Sequence, residues 1–295
     1  MWILTLDGGG SKTLARLTNS RNGQFWQQQA GPASLTNNFE LAISNIRQLS
    51  QQLCQQAAVS PEQITAVMGL AGAGNPQQQQ HAVALLQRDY RQLLLTTDAR
   101  TSLYGANLGQ PVLVVALGTG SVAMRLLSNG QEQQIGGWGF NIGDEGGGAW
   151  LGKQVVRELL WQVDSLAGVQ SPLLQAVANN IGTTAEQLLP WLKQASPTDY
   201  ADFAPLVFQY ASQCPLALML RQRHIDAVEQ LLWQGLETFS LPVVLLGGLA
   251  SITAPLLSPA CQALLQAAKG TALDGAFLLA QQLMSNVSEP LHENH

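Results

Sequence analysis

The chain has 295 residues, of which 46% are hydrophobic, which is enough for two domains of ordinary size or one large α/β domain. Only 11% of the residues are charged, the net charge is -5, and Lys and Arg form no cluster, so we expect no nucleic-acid partner. The absence of a signal peptide and of any run of about 18 apolar residues favours a cytoplasmic protein without a membrane partner. The three cysteines lie far apart and indicate neither a disulfide framework nor a structural metal site.

Apolar runs separated by Gly, Pro and Asn predict the elements of the first half. In chain order they are strands at residues 2–6, 13–17 and 24–29, an amphipathic helix capped by Asn37 or Asn38, a strand at 64–70, a helix at 79–90 and a strand at 92–97. The first three strands are joined by short turns, which predicts an antiparallel opening unit. The last strand delivers Asp98 at its carboxyl end.

The second half repeats the order strand, glycine turn, strand, turn, strand, although the two halves share little sequence. Its predicted elements are a strand at 112–117, a returning strand that ends at 127, a hairpin turn at 128–130, several helices, a strand at 241–246 and a C-terminal helix at 273–284. The prediction is an α/β protein of two βββαβαβα-like domains, residues 1–109 and 110–295, with a cleft between them.

Two of the predicted strands run into glycine-rich turns that also carry hydroxyl groups. The first turn reads Asp7-Gly8-Gly9-Gly10-Ser11-Lys12-Thr13, and the second reads Gly118-Thr119-Gly120-Ser121. Glycines lack Cβ, so backbone N–H groups can approach phosphate oxygens closely, while Ser and Thr add further donors. The pair of turns suggests two grips on one phosphate chain. A plain glycine hairpin is the alternative for the first turn.

Neither turn matches the two best-known phosphate motifs. Ser11 stands where the Walker A pattern G-K-[ST] needs glycine, so Lys12 is not a Walker A lysine. The second turn lacks the third glycine of G-x-G-x-x-G and the acidic residue that would hold a ribose, which disfavours a Rossmann site. The turns therefore indicate a phosphate site of another kind.

Five motifs in this order resemble the N-acetylglucosamine kinase branch of the BadF/BadG/BcrA/BcrD ATPase family. They are the first turn, Thr96-Thr97-Asp98-Ala99, the second turn, Gly136-Gly137-Trp138-Gly139 and Gly143-Asp144-Glu145-Gly146. Residues 199–205 instead resemble bacterial glucosamine kinases. The resemblance spans nearly the whole chain and implies the two-domain hexokinase-actin (ribonuclease H-like) fold with an interdomain cleft. It also allows the C-terminal helix to pack back on the N-terminal domain.

The resemblance implies ATP as a cofactor and Mg²⁺ held through water by Asp7. The residues implied for ATP are Gly8, Gly9, Gly10, Ser11, Lys12 and Thr13 in the first turn, Gly118, Thr119, Gly120 and Ser121 in the second, and Gly247 and Gly248 as an adenosine-binding turn. Lys12 offers a point charge to the phosphates, or is only an exposed turn residue. The pair Gly247-Gly248 could equally be an ordinary tight connection.

Asp98 is the implied catalytic base, because a carboxylate there can accept the proton of a sugar hydroxyl that attacks the γ-phosphate. The alternative is that it only caps the following helix. The residues implied for sugar binding are Asn37, Asp98, Thr119, Gly137, Trp138, Gly139 and Asp144. Ser34 or Asn38 could take the place of Asn37. Core packing is the alternative for Trp138, and a surface turn is the alternative for Asp144.

These assignments predict an ATP-dependent kinase that phosphorylates the 6-hydroxyl of N-acetylglucosamine, with glucosamine as the alternative substrate and a homodimer as the expected assembly. A hypothesis of a different class is an ATPase that activates an iron-sulfur reductase. Such activators need cysteine ligands soon after the second turn, and no cysteine occurs between Ser121 and Gln213. A nucleotide-binding sensor is the third hypothesis, and we expect no DNA-binding segment before Asp7.

Overall fold

The structure is a computed structural model, and it describes residues 1–286. The strands in this range are β1 (Trp2–Gly8), β2 (Thr13–Asn19), β3 (Phe25–Ala30), β4 (Ile64–Leu70), β5 (Gln92–Thr97), β6 (Val112–Leu117), β7 (Ser121–Leu126), β8 (Glu132–Gly136) and β9 (Val243–Leu246). The helices are α1 (Phe39–Ala57), α2 (Pro76–Leu86), α3 (Asp98–Ala106), α4 (Gly148–Val163), α5 (Pro172–Ile181), α6 (Ala185–Gln194), α7 (Pro197–Ala201), α8 (Ala204–Tyr210), α9 (Pro215–Leu236), α10 (Ala250–Thr253), α11 (Pro259–Gln262) and α12 (Ala272–Asn286).

The chain divides into two compact units. The first unit contains Met1–Val112, Leu126–Gly130 and the described residues 268–286. The second contains Leu113–Arg125 and Gln131–Ala267. Each unit therefore has its own sheet, and the C-terminal helix α12 belongs to the first.

The sheet of the first unit has the order β3-β2-β1-β4-β5. Strand β1 pairs antiparallel with β2 and parallel with β4, while β4 pairs parallel with β5. The predicted βββαβαβα order of this half is confirmed. Parallel pairing brings the carboxyl ends of β1, β4 and β5 to one edge of the sheet, and this edge is where the first glycine turn begins.

Helix α1 covers this sheet because its apolar side chains recur at helical spacing. Ile46, Leu49 and Leu53 are fully buried in the core of the unit. Asn38 is the N-cap, since its side chain accepts a hydrogen bond from the backbone N–H of Leu41. Of the two predicted caps, the structure has Asn38 and not Asn37.

Helix α2 begins three residues earlier than predicted, and it also ends earlier. Asn75 caps it by accepting from the N–H groups of Gln77 and Gln78, and Pro76 occupies the first helical position. This Asn-Pro start is a strong signal, because proline has no N–H to lose there. The run of four glutamines therefore lies in the first turns of the helix. The prediction of a start at 79 was wrong.

Helix α12 packs against α3, β1 and β4 within the first unit. Small residues permit a close crossing of α12 and α3. A Cβ at Gly105 on α3 would meet the carbonyl of Thr271, just before α12, and a Cβ at Gly275 on α12 would meet the carbonyl of Thr101 on α3. Arg16 on β2 also forms an ion pair with Asp274 at 2.9 Å. The end of the described chain is therefore an integral part of this unit.

The sheet of the second unit has four strands in the order β8-β7-β6-β9. A full βββαβαβα repeat would add a fifth strand beside β9, and here the prediction is wrong. The chain makes only an isolated parallel bridge between Val243 and Leu265. It then leaves the edge at once, because residues 269–271 already lead into α12. Within residues 1–286, no strand pairs with the outer edge of β9 beyond Val243.

Helices α4 to α9 supply most of the second unit. Their core contains fully buried aliphatic side chains such as Leu151, Val155, Leu174 and Leu220. Over residues 1–286 no single helix is long and apolar enough to cross a membrane. One pair bent by 114°, Pro197–Tyr210 with Pro215–Leu236, reaches the required length and composition only together.

Candidate active site

The first glycine turn links β1 to β2 with little room for larger side chains. A Cβ at Gly8 would lie 2.6 Å from the side chain of Leu70 and 2.9 Å from that of Ala33. The N–H of Gly9 donates to the carbonyl of Lys12 at 3.0 Å and closes the turn. Gly10, Ser11 and Lys12 are exposed. Their backbone and side-chain donors are available to a phosphate group.

Thr13 does not share this availability. Its side chain is buried, and its hydroxyl donates to the carbonyl of Gly31 at 2.7 Å. This bond ties the start of β2 to the end of β3. In the described structure Thr13 therefore stabilises the turn instead of presenting a donor.

Two carboxylates lie at the same edge of the first sheet. Asp7 pairs in register with Gly69, which in turn pairs with Thr96, two residues before Asp98. Burial and, to a lesser degree, the charge of Asp98 raise the pKa of Asp7 to about 6, although Lys12 opposes the change. Burial also raises the pKa of Asp98. The two groups are close enough for one charge to affect the other.

Asp98 is the first residue of α3, but it is not the cap. The cap is Thr97, whose hydroxyl accepts from the N–H of Arg100 at 3.1 Å. The carboxylate of Asp98 accepts from the N–H of Ala99 at 2.9 Å, which lowers its pKa in part. Asp98 therefore binds the start of the helix from its first residue, and its catalytic role stays a prediction. The first turn of the helix thus holds the carboxylate in place through Oδ1.

Asn37 lies beside the first turn. Its side-chain nitrogen would be 3.4 Å from a Cβ at Gly10. The two other candidates are engaged elsewhere: Ser34 is buried and hydrogen-bonded to Thr36, and Asn38 caps α1. Asn37 is exposed and is the candidate of the three whose side chain is placed to meet a ligand at the turn.

The second glycine turn is held by the start of α4. The N–H groups of Gly148 and Ala149 donate to the carbonyls of Gly118 and Thr119, each at 2.8 Å. Gly118 also donates to the carbonyl of Gly120 at 2.9 Å. The hydroxyl of Ser121 donates to the carbonyl of Glu145 at 2.7 Å and is thereby used within the protein.

Asp144 joins this turn to the loop predicted to bind sugar. Its Oδ1 accepts from the N–H of Gly139 at 2.9 Å, and its Oδ2 lies where a Cβ of Gly120 would be. Burial raises its pKa. Its φ of 59° is in the left-handed region, which costs a non-glycine residue about 1 kcal/mol or more. Asp144 is therefore half-buried and has a strained backbone, unlike a residue of a plain surface turn, which was its alternative.

Gly137, Trp138 and Asp144 line a cavity of about 460 Å³. Trp138 is 82% exposed, so the alternative of core packing is wrong. Sequence reasoning missed the far wall of this cavity, which is formed by Gln230, Leu231, Gln234 and Ala227 of α9 together with Ile135. Two glutamines one helical turn apart gave no signal in a chain so rich in glutamine.

Gly247 and Gly248 end β9. Gly247 has a φ of 95° and no room for a Cβ, because the carbonyl of Leu117 lies against it, whereas a Cβ at Gly248 would meet open space. Gly247 lines a largely apolar cavity of about 590 Å³ together with Leu246, Ala250 and Leu265. A cavity of this size and character suits a flat heterocycle.

The comparisons with known proteins agree with these features. The family model of the BadF/BadG/BcrA/BcrD ATPases matches residues 4–256. The chain belongs to this family. Sequence identity to glucosamine kinase GspK from Vibrio cholerae is 29% over 95% of both chains.

Solved structures extend the comparison. A Chromobacterium violaceum protein, provisionally named N-acetylglucosamine kinase, superposes with a TM-score of 0.84 at 31% identity, covering 95% of this chain and 99% of that one. The ROK hexokinase from Thermus thermophilus superposes with a TM-score of 0.57 at 17% identity, over 97% of this chain and all of that one. The second likeness shows the fold alone. The chain has the α/β fold of the hexokinase-actin superfamily.

The cysteines bear on the iron-sulfur activator hypothesis, which requires ligands soon after the second turn. Cys54, Cys214 and Cys261 are buried free thiols. Over residues 1–286, no group of three or more His, Cys, Asp and Glu side chains could hold a metal ion. The kinases among the relatives support the sugar-kinase hypothesis instead.

Proposed function

We propose that this protein transfers the γ-phosphate of ATP to the 6-hydroxyl of N-acetylglucosamine. Family membership and the kinases among its relatives support the coarser statement directly: the chain is an ATP-dependent amino-sugar kinase. The observation that carries the finer proposal is the half-buried Asp98, which is anchored through one carboxylate oxygen at the same sheet edge as the first phosphate turn.

In the proposed step, Asp98 accepts the proton of the attacking sugar hydroxyl. Its raised pKa makes it a better proton acceptor than an ordinary aspartate, and its bond to Ala99 fixes its direction. Positioning contributes as much as basicity, because phosphoryl transfer passes through a loose transition state. Asn37, Trp138 and Asp144 are proposed to orient the sugar.

The two glycine turns are proposed to bind the phosphate chain of one ATP. Gly10, Ser11 and Lys12 offer exposed donors in the first turn. Gly118, Thr119 and Gly120 form the second turn, which the start of α4 holds in place. The apolar cavity beside Gly247 is proposed to take the adenine ring.

The donor set at the first sheet edge fits Mg²⁺. This ion prefers carboxylate oxygens, keeps several of its waters and shares phosphate oxygens with its nucleotide. Asp7, whose pKa is raised by burial and by its carboxylate neighbour, would hold the ion through water. When bound, Mg²⁺ would neutralise phosphate charge.

Glucosamine is the second candidate substrate, because two observations favour it. The Vibrio cholerae relative is named a glucosamine kinase, and residues 199–205 resemble that branch. The cavity beside Trp138 and Asp144 offers Glu145 as a partner for a free ammonium group, but also the apolar Ile135 and Leu231 for an acyl group. A homodimer is also proposed, on the family resemblance alone.

The deciding experiment offers both sugars to the purified protein with Mg-ATP. We expect ADP release with N-acetylglucosamine to exceed that with glucosamine, N-acetylmannosamine and glucose, and phosphorus NMR of the product to place phosphate on the 6-hydroxyl. A preference for glucosamine would replace the proposed substrate but keep the kinase. ADP release that no sugar stimulates would overturn both.

A further inference from the structure

Residues 199–205 resemble glucosamine kinases, yet they contribute no group to the chemistry proposed above. They include the end of the short helix α7, which lies directly on α4. Gly152 has no room for a Cβ because the carbonyl of Tyr200 lies against it, and a Cβ at Gly148 would lie 3.2 Å from that of Ala201. Two glycines one helical turn apart on α4 therefore form the seat of α7.

The loop at residues 137–143, here called the sugar loop, has few anchors of its own. Gly137 and Gly139 have positive φ, and as glycines they carry no side chain that could anchor the loop. Trp138 and Ile142 are 82% and 85% exposed. The hydrogen bond from Gly139 to Asp144 fixes one point of the loop. The N–H groups of Gly143 and Ile142 donate to the carbonyl of Gly139 within the loop, and the half-buried Phe140 provides a contact outside it.

Phe140 contacts both α7 and α4. Its ring centroid lies 5.1 Å from that of Tyr200, and the ammonium group of Lys153 on α4 lies 4.5 Å from the same ring. Trp191 supports Tyr200 from behind, edge-on at 5.0 Å. Aromatic and cation–π contacts of this kind each stabilise a local conformation modestly, and together they can hold a short loop.

We propose that Tyr200 is a positioning residue that holds the sugar loop, and with it Trp138, in the orientation that receives the amino sugar. The proposal rests on the proposed function for the sugar itself, but the loop's dependence on Tyr200 can be measured without it. It gives residues 199–205 a role: they support the sugar loop through a ring contact. The same helix, α4, also holds the second phosphate turn.

The kinetic test compares Tyr200→Ala with the conservative Tyr200→Phe. Loss of one ring contact should raise KM for the sugar about tenfold, while kcat and KM for ATP stay within about twofold. Tyr200→Phe keeps the ring and should restore the KM for the sugar. Tyr210→Ala is the matched control, since Tyr210 packs on the helical core of the same unit. It should leave the KM for the sugar unchanged.

Hydrogen exchange of the free protein provides the measurement that needs no sugar. In Tyr200→Ala, backbone amides at 137–143 should exchange faster than in the wild type, while those at 8–13 should be unchanged. Unchanged exchange at 137–143 in a folded Tyr200→Ala protein overturns the proposal, whatever the activity. Should Tyr200→Ala fail to fold, Phe140→Leu takes its place, with the same expected exchange and the same overturning result.

The two readouts separate the failure of the proposal from that of the function. Faster exchange in Tyr200→Ala would support the role of Tyr200 even if the wild type phosphorylated no amino sugar. In that case the kinase proposal alone would be overturned. Normal exchange together with a normal KM for the sugar would overturn the role of Tyr200 and leave the kinase intact. Equal rises in the KM values for sugar and ATP would also overturn it, because they indicate general damage.

Discussion

At the residue scale, the half-buried carboxyl group of Asp7 lowers the stability of the protein at neutral pH. Its folded pKa of about 6 lies above the ordinary value of 3.8, mainly because the group is buried and secondly because Asp98 is near. The protonated form is therefore favoured in the folded state. The stability that this preference gives is present at low pH and is lost as the pH rises from about 4 to about 6.

Replacing Asp7 by Asn should therefore stabilise the free protein at neutral pH while removing activity. The shift corresponds to about 3 kcal/mol at most, and partial exposure of the group reduces this to about 1–3 kcal/mol. Urea unfolding in EDTA measures the difference. The difference in unfolding free energy between Asp7→Asn and the wild type should be present at pH 7 and vanish near pH 4. An equal difference at both pH values would contradict the raised pKa of Asp7.

His224 gives the opposite pH dependence in the second unit. The side chain is fully buried, its Nε2 lies 2.8 Å from the hydroxyl of Thr253, and burial lowers its pKa to about 4. The unfolded chain binds a proton near pH 6.5, so stability is lost as the pH falls below that value.

Between pH 7 and pH 5, His224 should cost the protein about 2 kcal/mol of its unfolding free energy. The variant His224→Gln keeps a polar side chain that does not titrate. Its loss of unfolding free energy between pH 7 and pH 5 should therefore be smaller by about 2 kcal/mol. Paired urea titrations at the two pH values isolate this contribution from the carboxylates. Parallel losses in both proteins would mean that His224 is not buried in its neutral form.

Some site residues were predictable from the sequence because they follow strands. Asp7, Asp98 and the two glycine turns all stand at the carboxyl ends of apolar runs, which are easy to recognise. The wall formed by Gln230 and Gln234 was not predictable, since its position depends on how α9 packs beneath the loop. The bond that removes Thr13 from the ligand side was hidden for the same reason.

At the scale of elements, the crossing of α12 and α3 determines where Asp98 stands. Thr101, three residues after Asp98, is fully buried, and its hydroxyl donates to the carbonyl of Asp98 at 3.0 Å. Neither Gly69 on β4 nor Gly275 on α12 has room for a Cβ, because Thr101 lies against both. The first turn of α3 is thus confined between a strand and a helix.

The variant Gly275→Ala should displace this turn and lower kcat by about 10- to 100-fold, because small misplacements of a catalytic group are costly. Overpacking should also reduce stability by about 1–3 kcal/mol. Gly74→Ala is the control, since its Cβ would make only an ordinary contact at 3.9 Å with Thr97. A fall in stability without a fall in kcat would show that the crossing does not position Asp98.

The order of elements in the first unit follows from the sequence, and the missing fifth strand of the second does not. Alternating apolar runs and glycine turns predict β1 to β5, with errors of one or two residues at four of the ten strand ends. Leu264 and Leu265 look like the start of another apolar strand. Their bridge to β9 stops after one residue because the chain must turn toward α12, a tertiary constraint that local sequence does not report.

At the scale of the whole molecule, the family resemblance predicts a kinase that closes around its sugar. A closed site excludes water, which would otherwise accept the phosphate. ATP hydrolysis without sugar should therefore be much slower than ADP release with sugar. Closure of the two units around the sugar is thus a prediction of the resemblance.

The most direct test of the central claim compares the wild type with Asp98→Asn in ADP release with Mg-ATP and N-acetylglucosamine. The account predicts a sugar-dependent rate that falls by about 10²- to 10⁴-fold in the variant, while ATP still binds. Asparagine keeps the shape but cannot accept the proton. A variant that keeps the wild-type rate would contradict the role of Asp98 as the base on which the proposed chemistry depends.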